Sequence, residues 1–193
     1  MTERDILTIL NRFCAKEKAG RFDMRKPFRI GEYVYATDGR CGARAKIPGE
    51  YPCDCPPPAD KVFLASECFE QSPAEMPILP EPLMCEMCDG NGTTTCGCEC
   101  GGCSHDIECN HCFGGFVSRP VSVGGVVLVG EFYARPLMEF GARFYPHADS
   151  EKRRSVMVRW VAGDVEGVLM PVMLYNGNEH RVIGKPVPKK EKD

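Results

Sequence analysis

The spacing of apolar residues changes from helical to strand-like along the first third of the chain. The opening stretch TERDILTILNRFC predicts a helix, with Thr2 as its N-terminal cap and Asp5 three residues later. The apolar residues of this stretch line one helical face: Ile6, Leu7, Leu10, Phe13 and Cys14. The stretch EYVYATDGRCGARAKI then predicts a β-hairpin, because β-forming residues flank Asp38-Gly39, a dipeptide that favours a type I′ turn.

Apolar residues in the last third of the chain predict a second hairpin, a second helix and two further strands. The hairpin is VSVGGVVLV, with Gly124-Gly125 at its turn. The helix lies in GEFYARPLMEFG, and we expect its regular part to start close to Pro136, since proline favours a first helical turn. Val156, Val158 and Trp160 alternate on one face of the next strand, and Val168 to Leu174 are expected to form its partner.

The order of these elements predicts an α+β fold class in which two helix-plus-antiparallel-strand halves share one core. A cysteine-rich segment interrupts them, and proline-rich stretches such as SPAEMPILPEPLM precede it. The expected organisation is a first half at 1–80, a cysteine-rich insertion at 81–118, a second half at 119–184 and a polar, disordered tail at 185–193.

Composition agrees with a globular chain of this kind. With 193 residues, 43% of them hydrophobic, the chain is long enough for one sizeable core and a small module. Its apolar runs are far shorter than the roughly 18 residues that span a membrane, and MTERDILTIL has no signal-peptide pattern. We therefore expect a soluble, cytoplasmic protein without membrane contact.

Charge is distributed unevenly, although the formal net charge is only -3. The segment Met1 to Ile30 holds eight basic residues against four acidic ones, so the amino-terminal region is basic. The segment Cys85 to Ser118 holds five acidic residues and neither Lys nor Arg, so the cysteine-rich segment is acidic. A nucleic-acid surface should be basic, and only the first of these segments meets that condition.

Eight of the 13 cysteines fall between Cys85 and Cys112. In a reducing cytoplasm clustered cysteines are more often metal ligands than disulfides, and an odd count excludes complete internal pairing. Cys85-x-x-Cys88 and Cys109-x-x-Cys112 supply four thiolates for one tetrahedral zinc site, and glycines after each pair let the chain reverse.

A second zinc site is predicted between these pairs, which gives about two zinc ions per chain. Five residues are available for it, namely Cys96, Cys98, Cys100 and Cys103, with His105 as a substitute ligand. The alternative is a single zinc site, with the cysteines between the two pairs as free thiols. Another alternative is a third metal site at Cys53-x-Cys55, with Cys41 and Cys68 on either side. The favoured interpretation is that Cys14, Cys41 and Cys68 act as small core hydrophobes, because they stand among apolar residues.

The stretch CEMCDGNG resembles the C-x-x-C-x-G-x-G repeat of the DnaJ-type cysteine-rich zinc module, and CNHCFGG matches that repeat more loosely. The resemblance implies that the first and last repeats share one zinc and the middle repeats another. Here Cys96-x-Cys98-x-Cys100 is too compact for two full repeats. The chain contains no His-Pro-Asp tripeptide of a J-domain, so co-chaperone activity is not implied.

The flanks resemble a different family. ATDGRCGA resembles the Ala-Thr-Asp-Gly-His-Arg-Leu-Ala segment of bacterial DNA sliding clamps, and LMPVML resembles the Val-Met-Pro-Met-Arg-Leu that ends them. The resemblance implies a single clamp-like domain, and also a partner-peptide cleft at the matching residues: Thr37, Gly39, Met170 and Pro171. A clamp ring needs six such domains, so encircling DNA would require a homo-oligomer.

This clamp-like cleft departs from the family pattern at several positions. Arg40 stands where the family has His, Cys41 and Met173 stand where it has Arg, and Val172 stands where it has Met. These substitutions weaken the expectation that the cleft binds the peptides that clamps bind.

No paired carboxylates, phosphate-binding glycine loop or nucleophile elbow is found in the sequence, so we expect no enzymatic activity. The favoured interpretation is a non-catalytic interaction protein that presents a zinc-stapled module to a protein partner, in DNA replication or repair. The alternative is nucleic-acid binding through the basic amino-terminal helix, with contacts from Arg4, Arg12 and Lys16. A thiol-redox or chaperone-like zinc protein is a more distant alternative.

Overall fold

The protein has an α+β fold, which confirms the predicted class. The computed structural model describes residues 1–16, 22–53, 56–63, 68–95, 106–109, 111–112, 114–149, 157–172 and 183–184. Its helices are α1 (Glu3–Arg12), α2 (Asp60–Phe63) and α3 (Glu131–Glu139). The predicted tail at 185–193 lies outside the described residues.

Twelve strands occur within the described residues. In chain order they are β1 (Phe28–Ile30), β2 (Tyr33–Thr37), β3 (Gly42–Ala45), β4 (Leu83–Met84), β5 (Thr93–Thr95), β6 (Asp106–Glu108), β7 (Phe116–Val117), β8 (Pro120–Val123), β9 (Val127–Gly130), β10 (Arg143–Pro146), β11 (Val158–Ala162) and β12 (Val165–Leu169). Six of them form one antiparallel sheet in the order β1-β2-β3-β12-β11-β10. The other six form three two-stranded pairs, β4 with β7, β5 with β6 and β8 with β9.

Strands from both ends of the chain meet in the middle of the six-stranded sheet. β3 precedes the cysteine-rich segment and β12 follows it, and they pair with Gly42 opposite Val168. The division into separate stretches at 1–80, 81–118 and 119–184 stays a prediction. The sheet nevertheless requires both flanks of the cysteine-rich segment, because three of its strands come from each.

Helix α1 forms where the sequence predicts it. The Thr2 hydroxyl accepts a hydrogen bond from the Asp5 N–H at 3.2 Å, and the Asp5 carboxylate accepts one from the Thr2 N–H at 2.9 Å. This reciprocal cap satisfies two of the N–H groups that a helix start leaves free. The apolar side of α1 is buried through Ile6, Ile9 and Leu10.

The main core joins α1, α3, the β8–β9 hairpin and one face of the six-stranded sheet. Trp160 of β11 is fully buried and stacks on Phe13 with their ring centroids 5.4 Å apart. Phe13 also stacks on Tyr133 of α3 at 5.8 Å. Three elements that are distant in sequence are therefore held together by one aromatic stack.

The β2–β3 hairpin is confirmed, but its turn differs from the predicted type I′ turn. Thr37 pairs with Gly42, so four residues lie in the loop, and only Gly39 among them has a positive φ, at 86°. The Asp38 carboxylate accepts hydrogen bonds from two backbone N–H groups of the loop at 2.8 Å. This side-chain bonding stabilises the longer loop in place of the two-residue turn.

Helix α3 begins earlier than predicted. It starts at Glu131 rather than close to Pro136. The reason is tertiary, because the Ser118 hydroxyl accepts a hydrogen bond from the Phe132 N–H at 3.2 Å and two arginines pair with the Glu131 carboxylate. A neighbouring segment thus supplies the cap that Gly130, the N-cap residue, lacks.

The partner of β11 also starts earlier than predicted. It is Val165–Leu169 instead of a segment from Val168 to Leu174. Ala162 pairs with Val165, so a two-residue turn joins the strands and sets their register. The β8–β9 hairpin is confirmed, with positive φ at both Gly124 and Gly125.

Candidate metal centre

Four cysteine side chains come together where two turns of the chain face each other. Cys85 and Cys88 follow β4, while Cys109 and Cys112 precede β7. The Sγ atoms of Cys85 and Cys109 are 3.8 Å apart, and those of Cys88 and Cys112 are 3.6 Å apart. All four sulfur atoms lie within 4.8 Å of one another.

This arrangement matches the geometry that zinc requires. With Zn–S bonds of about 2.3 Å, a regular tetrahedron separates its sulfur atoms by about 3.8 Å. Two of the six sulfur–sulfur distances, 3.8 and 3.6 Å, are close to that value, and all six are within 4.8 Å. Cys85, Cys88 and Cys109 are buried while Cys112 is half-buried. Four thiolates favour zinc over hard cations such as magnesium. The four cysteines can therefore hold one zinc ion.

Glycines allow the two turns to approach closely. A Cβ atom added to Gly115 would lie 2.0 Å from the carbonyl oxygen of Gly90, so no larger residue fits there. The turns are also joined by two hydrogen bonds, from the Cys85 N–H to the Gly115 carbonyl at 2.8 Å and from the Cys109 N–H to the Gly92 carbonyl at 2.9 Å. Each metal-binding turn thus supports the other through its backbone.

The environment of the thiols couples metal binding to proton release. Burial raises the pKa of Cys85, and burial together with the neighbouring thiols raises the pKa of Cys112 to about 12. Burial also opposes the ionisation of Cys88, but hydrogen bonds from the Gly92 N–H at 3.3 Å and from the other thiols outweigh it and lower the pKa of Cys88. A metal ion must displace the remaining thiol protons when it binds.

The predicted second zinc site lies outside the described residues. Its candidate ligands belong to the segment between β5 and β6: Cys96, Cys98, Cys100, Cys103 and His105. The third site suggested at Cys53 and Cys55 is also untested, since Cys55 is outside the described part. Within the described residues, the four-cysteine group is the one cluster of three or more side chains suited to a metal ion.

The cysteines outside the block are less uniform than predicted. Cys41 is buried in the main core and Cys14 packs against that core half-buried, in agreement with a role as small hydrophobes. Cys68 is exposed, so for this residue the prediction is wrong. The residues around Cys68 in the sequence form no pattern that distinguishes an exposed thiol from a buried one.

A buried carboxylate anchors the base of the cysteine-rich module. Glu131 is only 4% exposed and receives hydrogen bonds from the guanidinium groups of Arg119, at 2.7 and 2.8 Å, and of Arg135. Arg119 also donates to the carbonyl oxygen of Glu81, and Arg135 donates to the carbonyl oxygen of Pro80. Both carbonyl groups lie in the segment that leads into the module. The three charged residues therefore hold the entry and exit of the module against α3.

Replacing Glu131 with Gln is expected to lower the free energy of unfolding at pH 7 by about 3 kcal/mol, because two arginines lose their buried counter-charge. Burial disfavours the ionised carboxylate, but the hydrogen bonds and charges of Arg119 and Arg135 outweigh it and lower the pKa of Glu131. A lowered folded pKa stabilises the protein above the unfolded pKa and ceases to do so as pH falls through the folded value. The difference between the variant and the wild type should therefore shrink below about pH 4.5.

Chemical denaturation at several pH values measures this difference. The matched control is Glu32→Gln, which removes the exposed ion pair between Glu32 and Lys46, and it should leave the transition nearly unchanged. An equal effect of both substitutions, or a difference that does not depend on pH, would show that Glu131 is not held as an ionised anchor.

Three of the four predicted partner-binding residues line one cleft. Thr37, Gly39 and Met170 border a volume of about 230 Å³, together with residues including Met24 and Cys41. Pro171 follows Met170 but is not part of the lining. The Thr37 hydroxyl donates to the Cys41 carbonyl at 2.7 Å, so it serves the β2–β3 loop as well as the cleft.

The predicted nucleic-acid contacts lie on helix α1 and just after it. Arg4 and Arg12 are exposed in its first and last turns. Lys16 lies beyond the end of α1, and its Nζ forms an exposed ion pair with Glu108 of β6 at 2.8 Å. Nucleic-acid binding through these residues stays a prediction.

Two clusters of charged residues were not predicted from the sequence, one around Glu131 and one around Glu166. The spacing of Glu131 and Arg135, four residues apart, was a signal that could have indicated one of these pairs. Glu166 lies between Arg44 and Arg159 on the sheet, and no local pattern indicates that cluster.

Fold and site together define an α+β protein with a candidate four-cysteine metal centre. The chain matches no protein-family model, no curated protein and no solved structure. No helix within the described residues is both long enough and apolar enough to cross a membrane.

Proposed function

We propose that this protein is a non-catalytic zinc-binding interaction protein, whose α+β domain presents a zinc-stapled module to a protein partner. The observation that carries the proposal is the convergence of four thiols at tetrahedral spacing. A zinc ion with four protein ligands has no open position for a substrate, which is typical of structural rather than catalytic sites. The ion would therefore shape a surface rather than perform a reaction.

The sequence resemblances give the proposal a context. The ATDG and LMP segments suggest a clamp-like domain, and on that basis the partner would act in DNA replication or repair. The cleft bordered by Thr37, Gly39 and Met170 would be a second contact for the same partner. We also propose a second zinc ion at Cys96, Cys98, Cys100 and Cys103, since these residues form a complete ligand set by number and type.

Charge favours a protein partner over a nucleic acid. A zinc ion with four thiolates carries a net charge of about −2, and the module adds carboxylates without any Lys or Arg from Cys85 to Ser118. Phosphate would be repelled by such a surface. Arg4 lies between Glu3 and Asp5 in the first turn of α1, which reduces the attraction that this end of the helix adds.

Protein purified under reducing conditions from zinc-supplemented cells is expected to carry about two zinc ions per chain, one for each set of four cysteines. Native mass spectrometry and elemental analysis measure the ratio. Exchange of the zinc for cobalt should add thiolate-to-metal absorption, which is a signature of cysteine ligands in a tetrahedral site.

A ratio of one zinc ion per chain would contradict the proposed second zinc site and would agree with a single site at Cys85, Cys88, Cys109 and Cys112. Freshly reduced protein without metal, or with intramolecular disulfides among these cysteines, would contradict the proposed function.

A further inference from the structure

Several large apolar side chains are exposed on the described part of the cysteine-rich module. Met84 is 61% exposed, Met87 62% and Phe116 46%. Met84 lies directly opposite Phe116 in the β4–β7 pair, so their side chains share one face. Met87 is on the turn that follows β4, between Cys85 and Cys88. We refer to Met84, Met87 and Phe116 as the module apolar patch.

The module apolar patch continues into a cleft at the base of the module. The cleft has a volume of about 310 Å³ and lies between β7 and α3. Its walls include Pro82, Phe116 and Val117 from the module and Phe132 and Pro136 from α3. An apolar side chain of a bound segment could therefore enter the cleft while its neighbours cover the patch.

Two carboxylates lie next to the patch in the chain. Glu86 and Asp89 are exposed on the same turn as Met87. The zinc centre beneath the turn adds about −2 when it is loaded.

Positive charge near the patch is already matched. In the cleft, Arg135 is paired with Glu131, and the lining as a whole holds two arginines, Arg12 and Arg135, and two glutamates, Glu131 and Glu139. Lys16 is engaged by Glu108. A ligand for this surface must therefore bring its own positive charge together with apolar side chains.

From this combination we propose that the module apolar patch and its cleft bind a protein segment in which large apolar residues alternate with Lys or Arg. Methionine side chains adapt to differently shaped partners, which suits a surface of this kind. The inference rests on the proposed zinc-binding function, since the metal fixes the turn that carries Met87. It specifies the chemistry of the partner and the surface that the partner covers.

Three labelled synthetic peptides of equal length test the inference by fluorescence anisotropy with the zinc-loaded full chain. One is built from Leu-Lys-Lys-Leu repeats, one from Leu-Glu-Glu-Leu repeats and one from Ser-Lys-Lys-Ser repeats. The first should bind at least about tenfold more tightly than the other two, because it alone supplies both apolar area and positive charge. Added salt should weaken this binding.

The variant Met84→Ser/Met87→Ser should weaken binding of the Leu-Lys-Lys-Leu peptide by about tenfold or more while retaining its zinc. The matched control is Ile78→Ser, which changes an almost fully exposed apolar residue outside the patch and should bind as the wild type does. The zinc content of each variant shows whether the module remains folded. Neither methionine is a metal ligand, so the pair can be changed without altering the centre.

Equal binding of the three peptides, or unchanged binding by the methionine variant, would overturn the inference. So would a dimer of the chain that the methionine variant abolishes, since the patch would then be a contact between copies. Displacement of the peptide by single-stranded DNA at equal affinity would indicate a nucleic-acid surface instead. Zinc-loaded protein that fails to bind leaves the proposed zinc-binding function intact, whereas protein without zinc contradicts both.

Discussion

Changing Cys88 to Ser is expected to remove zinc from the four-cysteine centre and to unfold the module around it. A serine hydroxyl is a poor replacement for a thiolate, and structural zinc sites contribute about 10–16 kcal/mol of binding free energy to folding. Among the described residues, the module's own buried cluster consists of the cysteines with Val117 packed against them. Loss of the metal should therefore remove most of its stability.

Native mass spectrometry should show one zinc ion fewer than in the wild type, and hydrogen exchange should accelerate around Cys85 and Cys109. The six-stranded sheet should keep its slow exchange, because its core is a separate cluster. Cys68→Ser is the matched control, as it replaces an exposed cysteine outside the metal-binding group. A variant that retains the full zinc count and normal exchange would show that Cys88 is not a ligand.

Changing Gly167 to Ala is expected to destabilise the α+β domain by about 3 kcal/mol or more. The added Cβ atom would lie 2.3 Å from the ring of Trp160 and 2.5 Å from the carbonyl oxygen of Gly42. Trp160 is fully buried and stacked on Phe13, so its ring has no free space to move into. The strand itself would have to shift at the centre of the sheet.

Thermal unfolding should show a fall in Tm of about 10 °C for this variant. The matched control is Gly42→Ala, on the neighbouring strand β3, where the nearest atom to an added Cβ would be the Ala36 carbonyl oxygen at an ordinary 3.5 Å. A similarly small effect of both substitutions would mean that β12 does not pack against Trp160 as described. Zinc content should be unaffected in both variants, since neither residue lies in the module.

The group that packs against Gly167 could not be predicted from the sequence alone. A glycine within a strand signals close approach of another group, but the pattern does not say which group approaches. Here the answer is the Trp160 ring on the adjacent strand, at the position directly opposite in register. The register depends on the Gly163-Asp164 turn, which the expected partner strand at Val168 to Leu174 did not include.

Features that depend on neighbouring residues could be predicted from the amino-acid sequence alone. The cap of α1 needs only Thr2 and Asp5, three residues apart, and the β8–β9 hairpin needs only the glycines between β-forming residues. The β2–β3 hairpin was predicted in the right place, but its longer loop also depends on the Asp38 side chain. Each C-x-x-C pair places two thiols on one tight turn, so the metal-binding chemistry was also visible. Local geometry determines these features, and the spacing of residues in the sequence indicates that geometry directly.

Other features depended on contacts between residues far apart in the chain, and only the tertiary structure decided them. Helix α3 starts at Glu131 because Arg119 and Ser118, on a different segment, satisfy its first turn. Lys16 forms an exposed ion pair with Glu108, 92 residues later. Local spacing carries no information about which charge a folded chain brings opposite another, because that depends on how the sheet, the helices and the module pack together.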